Sequence, residues 1–176
     1  MDYIYYEKNL KKLYTTRSIQ VLSVLSLDSC ITTTSSSSSG VIQYVSSSLV
    51  KTASNLSYNG YWVASSSVGD YAIIYGGNSL TNGRVISTNL VGTLISIPSS
   101  YKYHMGATTV GNFAIFAGGY GSTTTVDIYD SNLTRSISNL SEGRGFLAAT
   151  TVGNFAIFGG GYQLGAKDVV EVITLV

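Results

Sequence analysis

Apolar and polar residues follow a pattern that recurs along this chain. Leu147-Ala148-Ala149-Thr150-Thr151-Val152 is a run of small and β-branched residues, Gly153-Asn154 interrupts it, and Phe155-Ala156-Ile157-Phe158 returns to Gly159-Gly160-Gly161. The run, the two-residue break and the return predict two strands joined by a tight hairpin. Both strands are apolar at successive positions, which predicts strands covered on both faces. One unit earlier, Val126-Asp127-Ile128-Tyr129-Asp130 alternates apolar and polar residues and predicts a half-exposed third strand. Ser131-Asn132 turns the chain, Leu133 to Ser138 reads as a fourth strand, and Ser141-Glu142-Gly143-Arg144 leads into the next unit.

The hairpin phrase occurs three times, as Val68-Gly69-Asp70-Tyr71-Ala72-Ile73-Ile74-Tyr75-Gly76-Gly77, as Val110-Gly111-Asn112-Phe113-Ala114-Ile115-Phe116-Ala117-Gly118-Gly119 and as Val152 to Gly161. The period is 42 residues (111 − 69 and 153 − 111). A fixed period of roughly 40–50 residues with strands in every unit is the signature of β-propeller blades. The fold class expected is therefore all-β, a single-domain propeller over residues 1–176 with about four four-stranded blades. Residues 58–99 and 100–141 form full blades, and 142–176 supplies the inner strands of a closing blade. Thr16-Arg17-Ser18-Ile19 matches Thr134-Arg135-Ser136-Ile137, so residues 1–23 read as the outer strands of that closing blade. Residues 24–57 form a degenerate blade: Ser23 to Ser57 spans 34 positions (57 − 23) where Ser57 to Ser99 spans 42 (99 − 57), and the serine run Ser35 to Ser39 sits at the gap. Closure by joining the N- and C-terminal strands of one chain, or between chains, are both open. Val169 to Val176 is apolar and would be an adhesive edge if uncovered, which predicts a homo-oligomer or a place in a larger assembly.

These residues resemble kelch-type repeats, which carry a Gly-Gly doublet after the second strand, a Tyr-Asp in the third and an Arg before the next blade. The doublets here are Gly76-Gly77, Gly118-Gly119 and Gly160-Gly161; Tyr129-Asp130 matches the second mark, and Arg144 and, more loosely, Lys102 match the third. The Trp of the kelch fourth strand is absent, and the unit is shorter than the usual kelch length of about 50 residues. The phrase Gly-Asn-Phe-Ala-Ile-Phe-Gly-Gly-Gly is also similar to kelch-like repeat proteins of anaerobic gut bacteria and their phages, often encoded near tail genes. The resemblance implies blades; it says little of function, because propellers host enzymes, receptors and scaffolds alike.

Composition narrows the chemistry. Charged residues make up 11% of the chain and the net charge is +1, so no basic footprint points to nucleic acid. No apolar run reaches the length of a membrane helix, and Gln20, Ser23 and Ser26 break the segment that would otherwise read as a secretion leader. One cysteine, Cys30, permits no disulfide within the chain. One histidine, His104, aligns with Trp62 and Phe146 at the 42-residue spacing, a slot of aromatics that reads as packing or rim rather than catalysis. One His and one Cys do not make a zinc or copper site, so no cofactor and no metal are expected. The copper oxidases of the kelch fold need histidines that this chain lacks. Gly118-Gly119-Tyr120-Gly121 lacks the helix and the Lys-Ser/Thr of a phosphate loop. Asp127 and Asp130 lack calcium-loop spacing.

What remains is surface. In an up-and-down blade the longer loops gather at one end, and that end carries Tyr58, Tyr61, Tyr101, Tyr103, Tyr120, Arg144 and Tyr162. Tyrosine offers a rigid face and a hydroxyl at little entropic cost, suited to sugars or protein loops; the same residues would equally serve to cover the rim of a core. The expectation is a non-enzymatic binding or structural module, of a phage tail or extracellular particle, that contacts protein or surface glycan. A surface adhesin or lectin-like propeller is the alternative, with an intracellular kelch scaffold behind it.

Overall fold

The computed structural model describes strands Ile4–Glu7 (β1), Lys12–Thr15 (β2), Ile19–Val21 (β3), Ser29–Thr34 (β4), Val41–Ser46 (β5) and Lys51–Asn55 (β6), and residues 62–77, 82–89, 91–96, 102–121 and 123–174. The later segments hold Ala64–Val68 (β7), Tyr71–Tyr75 (β8), Asn82–Ser87 (β9), Gly92–Ser96 (β10), Gly106–Val110 (β11), Phe113–Ala117 (β12), Thr125–Asp130 (β13), Arg135–Asn139 (β14), Ala148–Val152 (β15), Phe155–Gly159 (β16) and Val170–Thr174 (β17). No helix occurs among the described residues. Strands β3 to β6, β7 to β10 and β11 to β14 form three four-stranded sheets in chain order, β15 to β17 form a three-stranded sheet, and β1 and β2 pair with each other. All pairings are antiparallel.

The repeat is visible in the register. Val68 faces Tyr71, Val110 faces Phe113 and Val152 faces Phe155 across identical two-residue turns. Gly69, Gly111 and Gly153 open those turns with φ of +52°, +51° and +56°, a conformation that costs an L side chain about 1–2 kcal/mol.

The β7–β10 sheet packs on the β11–β14 sheet, which packs on β15–β17, with first strands β7, β11 and β15 side by side. Alternation along each strand sends one set of side chains to each neighbour. Ile73, Tyr75 and Val85 meet Met105, Ala114, Phe116 and Tyr129 in one core. Ile115, Ala117, Val126 and Ile128 meet Leu147, Ala156 and Phe158 in the next. Each large aliphatic or aromatic side chain so buried contributes about 1.5–3 kcal/mol.

Between the first strands the contact is polar, because small hydroxyl residues let the backbones approach. The Ser66 hydroxyl lies 2.7 Å from that of Thr109, which donates to the Ser67 carbonyl at 2.7 Å. One interface later, the Thr108 hydroxyl lies 2.7 Å from that of Thr151, which donates to the Thr109 carbonyl at 2.6 Å. Partly buried hydroxyls are thus satisfied in the same way twice.

Three expectations change. The third strand of the full unit is not half-exposed: Val126, Asp127, Ile128 and Tyr129 are all buried, because Asp127 is neutralised by ion pairs rather than by water. Ile19, read from its sequence match as part of an outer strand, instead opens a sheet: Ile19 pairs with Thr34, and the β3–β6 unit has four strands. Among the described strands, the N- and C-terminal ones are not joined in one sheet, since β1 pairs with β2 and β17 pairs with β16.

The doublets explain why glycine recurs. A Cβ on Gly118 (φ +73°) would stand 2.3 Å from the Arg144 carbonyl oxygen, whereas one on Gly111 would meet nothing within 4 Å. Gly111→Ala should therefore cost about 1–2 kcal/mol and Gly118→Ala at least about 3 kcal/mol. Urea midpoints of the two variants at unchanged slope test this ordering; equal losses would refute the steric account.

Candidate functional site

Trp62, His104 and Phe146 stand just before β7, β11 and β15, one per unit, and each adopts a left-handed backbone, with φ of +62°, +60° and +60°. Bulky residues rarely sit there, and each costs on the order of 1–3 kcal/mol, a cost that clusters at ligand clamps and switches. The conformation is held by a ladder between units. The His104 N–H donates to the Trp62 carbonyl (3.4 Å) and the Phe146 N–H to the His104 carbonyl (2.7 Å). It sets the three rings in a column: Trp62 and His104 have centroids 4.3 Å apart, and His104 and Phe146 stack at 3.8 Å. Tyr103 stacks beside Trp62 at 5.5 Å and on Tyr120 at 4.8 Å.

Phe146 ends the column at a cleft of about 590 Å³, lined also by Tyr120, Gly121, Gly145, Tyr162, Gln163 and Leu164. That volume lies within the range of small-ligand sites. Three segments meet here: the β12–β13 loop, the approach to β15 and the β16–β17 loop. The Tyr120 N–H donates to the Tyr103 carbonyl (2.9 Å), and Tyr162 and Gly145 exchange backbone hydrogen bonds of 2.8 and 3.2 Å. Tyr120, Phe146, Tyr162 and Leu164 are all exposed, Leu164 at 97%. A leucine that open, on a backbone with φ +51°, contributes nothing to the core.

Ion pairs brace the loops from beneath. Lys102 Nζ lies 3.0 Å from Asp127 Oδ2 and donates to the Thr125 carbonyl at 3.2 Å. Arg135 Nε donates to Asp127 Oδ1 at 2.9 Å and the Tyr75 hydroxyl to Oδ2 at 3.0 Å. Burial lowers the pKa of Lys102 and the charge of Asp127 opposes that fall; burial, then Asp127, raises that of Tyr75 far above the usual phenol range. Lys102, Asp127 and Tyr75 are closed to solvent, so the cluster holds sheets together rather than meeting a substrate. By register Glu171 takes the place of Asp127, since the first faces Phe158 and the second Phe116. Arg144 meets Glu171 at 3.1 Å, and Lys167 meets Glu142 at 2.9 Å.

Of the residues singled out from sequence, Tyr120 and Tyr162 are exposed and share the cleft. Tyr103 is buried behind Tyr120, and Arg144 is fully buried in its pair with Glu171; both support the loops from inside. Tyr58, Tyr61 and Tyr101 lie outside the described residues. Phe146, Trp62 and Leu164 were missed as surface residues. The signal for the first two is the aromatic slot at 42-residue spacing, which sequence reads as packing or rim; the positive φ that turns the rings outward has no sequence mark. Among the described residues no group of three His, Cys, Asp or Glu could hold a metal ion.

Asp127→Asn leaves Lys102 buried without its counter-charge, and should cost about 3–5 kcal/mol by equilibrium unfolding; a loss below about 1 kcal/mol would show that the cluster is not a brace. His104 predicts a pH effect. Burial lowers its pKa from the ordinary 6.5, so the unfolded chain takes the proton first. Its contribution is full above pH 6.5 and is lost as the pH falls through the lowered folded value. His104→Phe, which copies the Phe146 slot, should flatten that part of the melting temperature against pH; identical profiles would refute the assignment.

No family model matches the chain, and no curated protein does. Among solved structures, that of YjhT is similar, with a TM-score of 0.58 and 18% identity over 77% of this chain and 49% of that one. The matched stretch spans about half the length of YjhT, and at this identity the likeness shows the fold alone.

Proposed function

We propose that these sheets are blades of a kelch-like β-propeller, and that the chain is a non-enzymatic binding module whose aromatic end meets a glycan or a protein loop on a surface. The propeller reading is supported by the 42-residue period, by four-stranded units that stack face to face through their first strands, and by a glycine doublet at each crossing. The binding reading rests on one observation: Phe146, Tyr120, Tyr162 and Leu164 are held out to solvent around a cleft, two of them on left-handed backbone. Exposed rings on rigid supports stack on the apolar faces of sugars, while tyrosine hydroxyls and the Gln163 amide supply hydrogen bonds.

Low charge and a Ser/Thr/Tyr-rich composition suit a component of a phage tail or similar extracellular particle, our leading setting. A surface adhesin or lectin-like propeller uses the same cleft and is the second reading. Probing a glycan array with the purified chain should give one sugar class, and Phe146→Ala with Tyr162→Ala should weaken that binding at least about tenfold at unchanged melting temperature. Binding unaffected by both substitutions would remove the cleft from the account, and turnover of a bound glycan would overturn the non-enzymatic reading.

A further inference from the structure

The outward face of the β15–β17 sheet is built like faces that are covered elsewhere in the same chain. Val152 is 60% exposed, whereas Val110 and Val68 in the same slot are 3% and 1% exposed under the next sheet. Phe155 and Val172 beside it are also exposed. Thr150 occupies the position of Thr108 and Ser66, whose hydroxyls each meet a threonine of the following unit at 2.7 Å; Thr150 is exposed. The doublet repeats the point. A Cβ on Gly76 or Gly118 would stand 1.8 or 2.3 Å from the carbonyl of the next unit's Lys102 or Arg144, while at Gly160 the nearest atom lies at 3.8 Å.

We infer that this face is the seat of a second copy of this chain, so that the stack of sheets in one copy continues into the other. The face carries no charged residue: Ala148, Thr150, Val152 and Phe155, Ile157, Gly159 share it with Val170, Val172 and Thr174 by register. Its complement must be another uncharged sheet face, and stacked sheets of that kind are what this chain is built from. The interface continues two that the chain already makes. Length agrees as well: one copy matches about half of the YjhT chain, so two copies supply the whole of that span. The inference stands apart from the cleft and its ligand.

Light scattering on the full chain should give about twice its 18.7 kDa mass. Val152→Glu with Val172→Glu should give a folded monomer, because both side chains are exposed within one copy. A monomeric wild type overturns the inference. So does a double variant that assembles as the wild type does, and so does a monomeric wild type whose melting temperature falls in the variant, which would put this chain's own strands on the face. Should the double variant fail to fold, Thr150→Cys in a Cys30→Ser background replaces it: maleimide labelling should slow as protein concentration rises, and a concentration-independent rate overturns the inference.

Discussion

Two small crossings fasten the β7–β10 sheet to the β11–β14 sheet and that sheet to β15–β17. The second glycine of a doublet donates its N–H to the carbonyl of a basic residue in the following unit: Gly77 to Lys102 at 2.8 Å and Gly119 to Arg144 at 3.0 Å. The basic side chain then turns inward to an acid on the third strand of its own sheet, Asp127 for Lys102 and Glu171 for Arg144. One residue thus binds backwards with its backbone and inwards with its charge. The first glycine of each doublet is required because a Cβ on Gly76 or Gly118 would displace that carbonyl, and the acid is required because a buried cation without a partner is costly. The aromatic column depends on the same crossing, since His104 and Phe146 lie two residues beyond Lys102 and Arg144.

The two crossings use different chemistry for one task. Around Asp127 the charge is shared among Lys102, Arg135 and Tyr75, fully buried except at Arg135. Around Arg144 the acids Glu142 and Glu171 remain partly open to water. The first lies between two four-stranded sheets and the second between the last of these and the three-stranded β15–β17 sheet, where the acids stay nearer to water. Buried ion pairs favour one arrangement over others more than they add net stability. In a chain of near-identical units, fixing which sheet meets which matters.

The architecture was legible because a hairpin needs few residues to specify it. Gly-Asn turns, β-branched runs and doublets recur at one spacing, and strands β7, β8, β11, β12, β15 and β16 follow them. The burial of the third strand is not legible because Asp127 looks like a solvent-facing position; its partner Lys102 lies 25 residues earlier in the chain (127 − 102), in a loop whose inward course no local pattern announces. Ile19 resembles Ile137 in its sequence setting, yet it opens a sheet rather than completing one. At the candidate site the tyrosines were visible as a loop-end cluster. That Tyr103 turns inward while Phe146 turns outward follows from a backbone angle that phenylalanine itself disfavours.

The near-identity of the units also bears on how the chain reaches this state. Every pairing within a sheet joins strands that are neighbours in sequence, so hairpins can close quickly and independently. Docking then chooses among faces that are chemically alike, and a unit seated one place out of order would still find hydroxyls, alanines and phenylalanines in the right slots. Such a misordered stack is a kinetic trap of the kind known for repeat proteins. The asymmetry between Asp127 with its three partners and Glu171 at the open end gives the correct order its advantage. It makes a charge cluster the proofreader of an otherwise hydrophobic assembly.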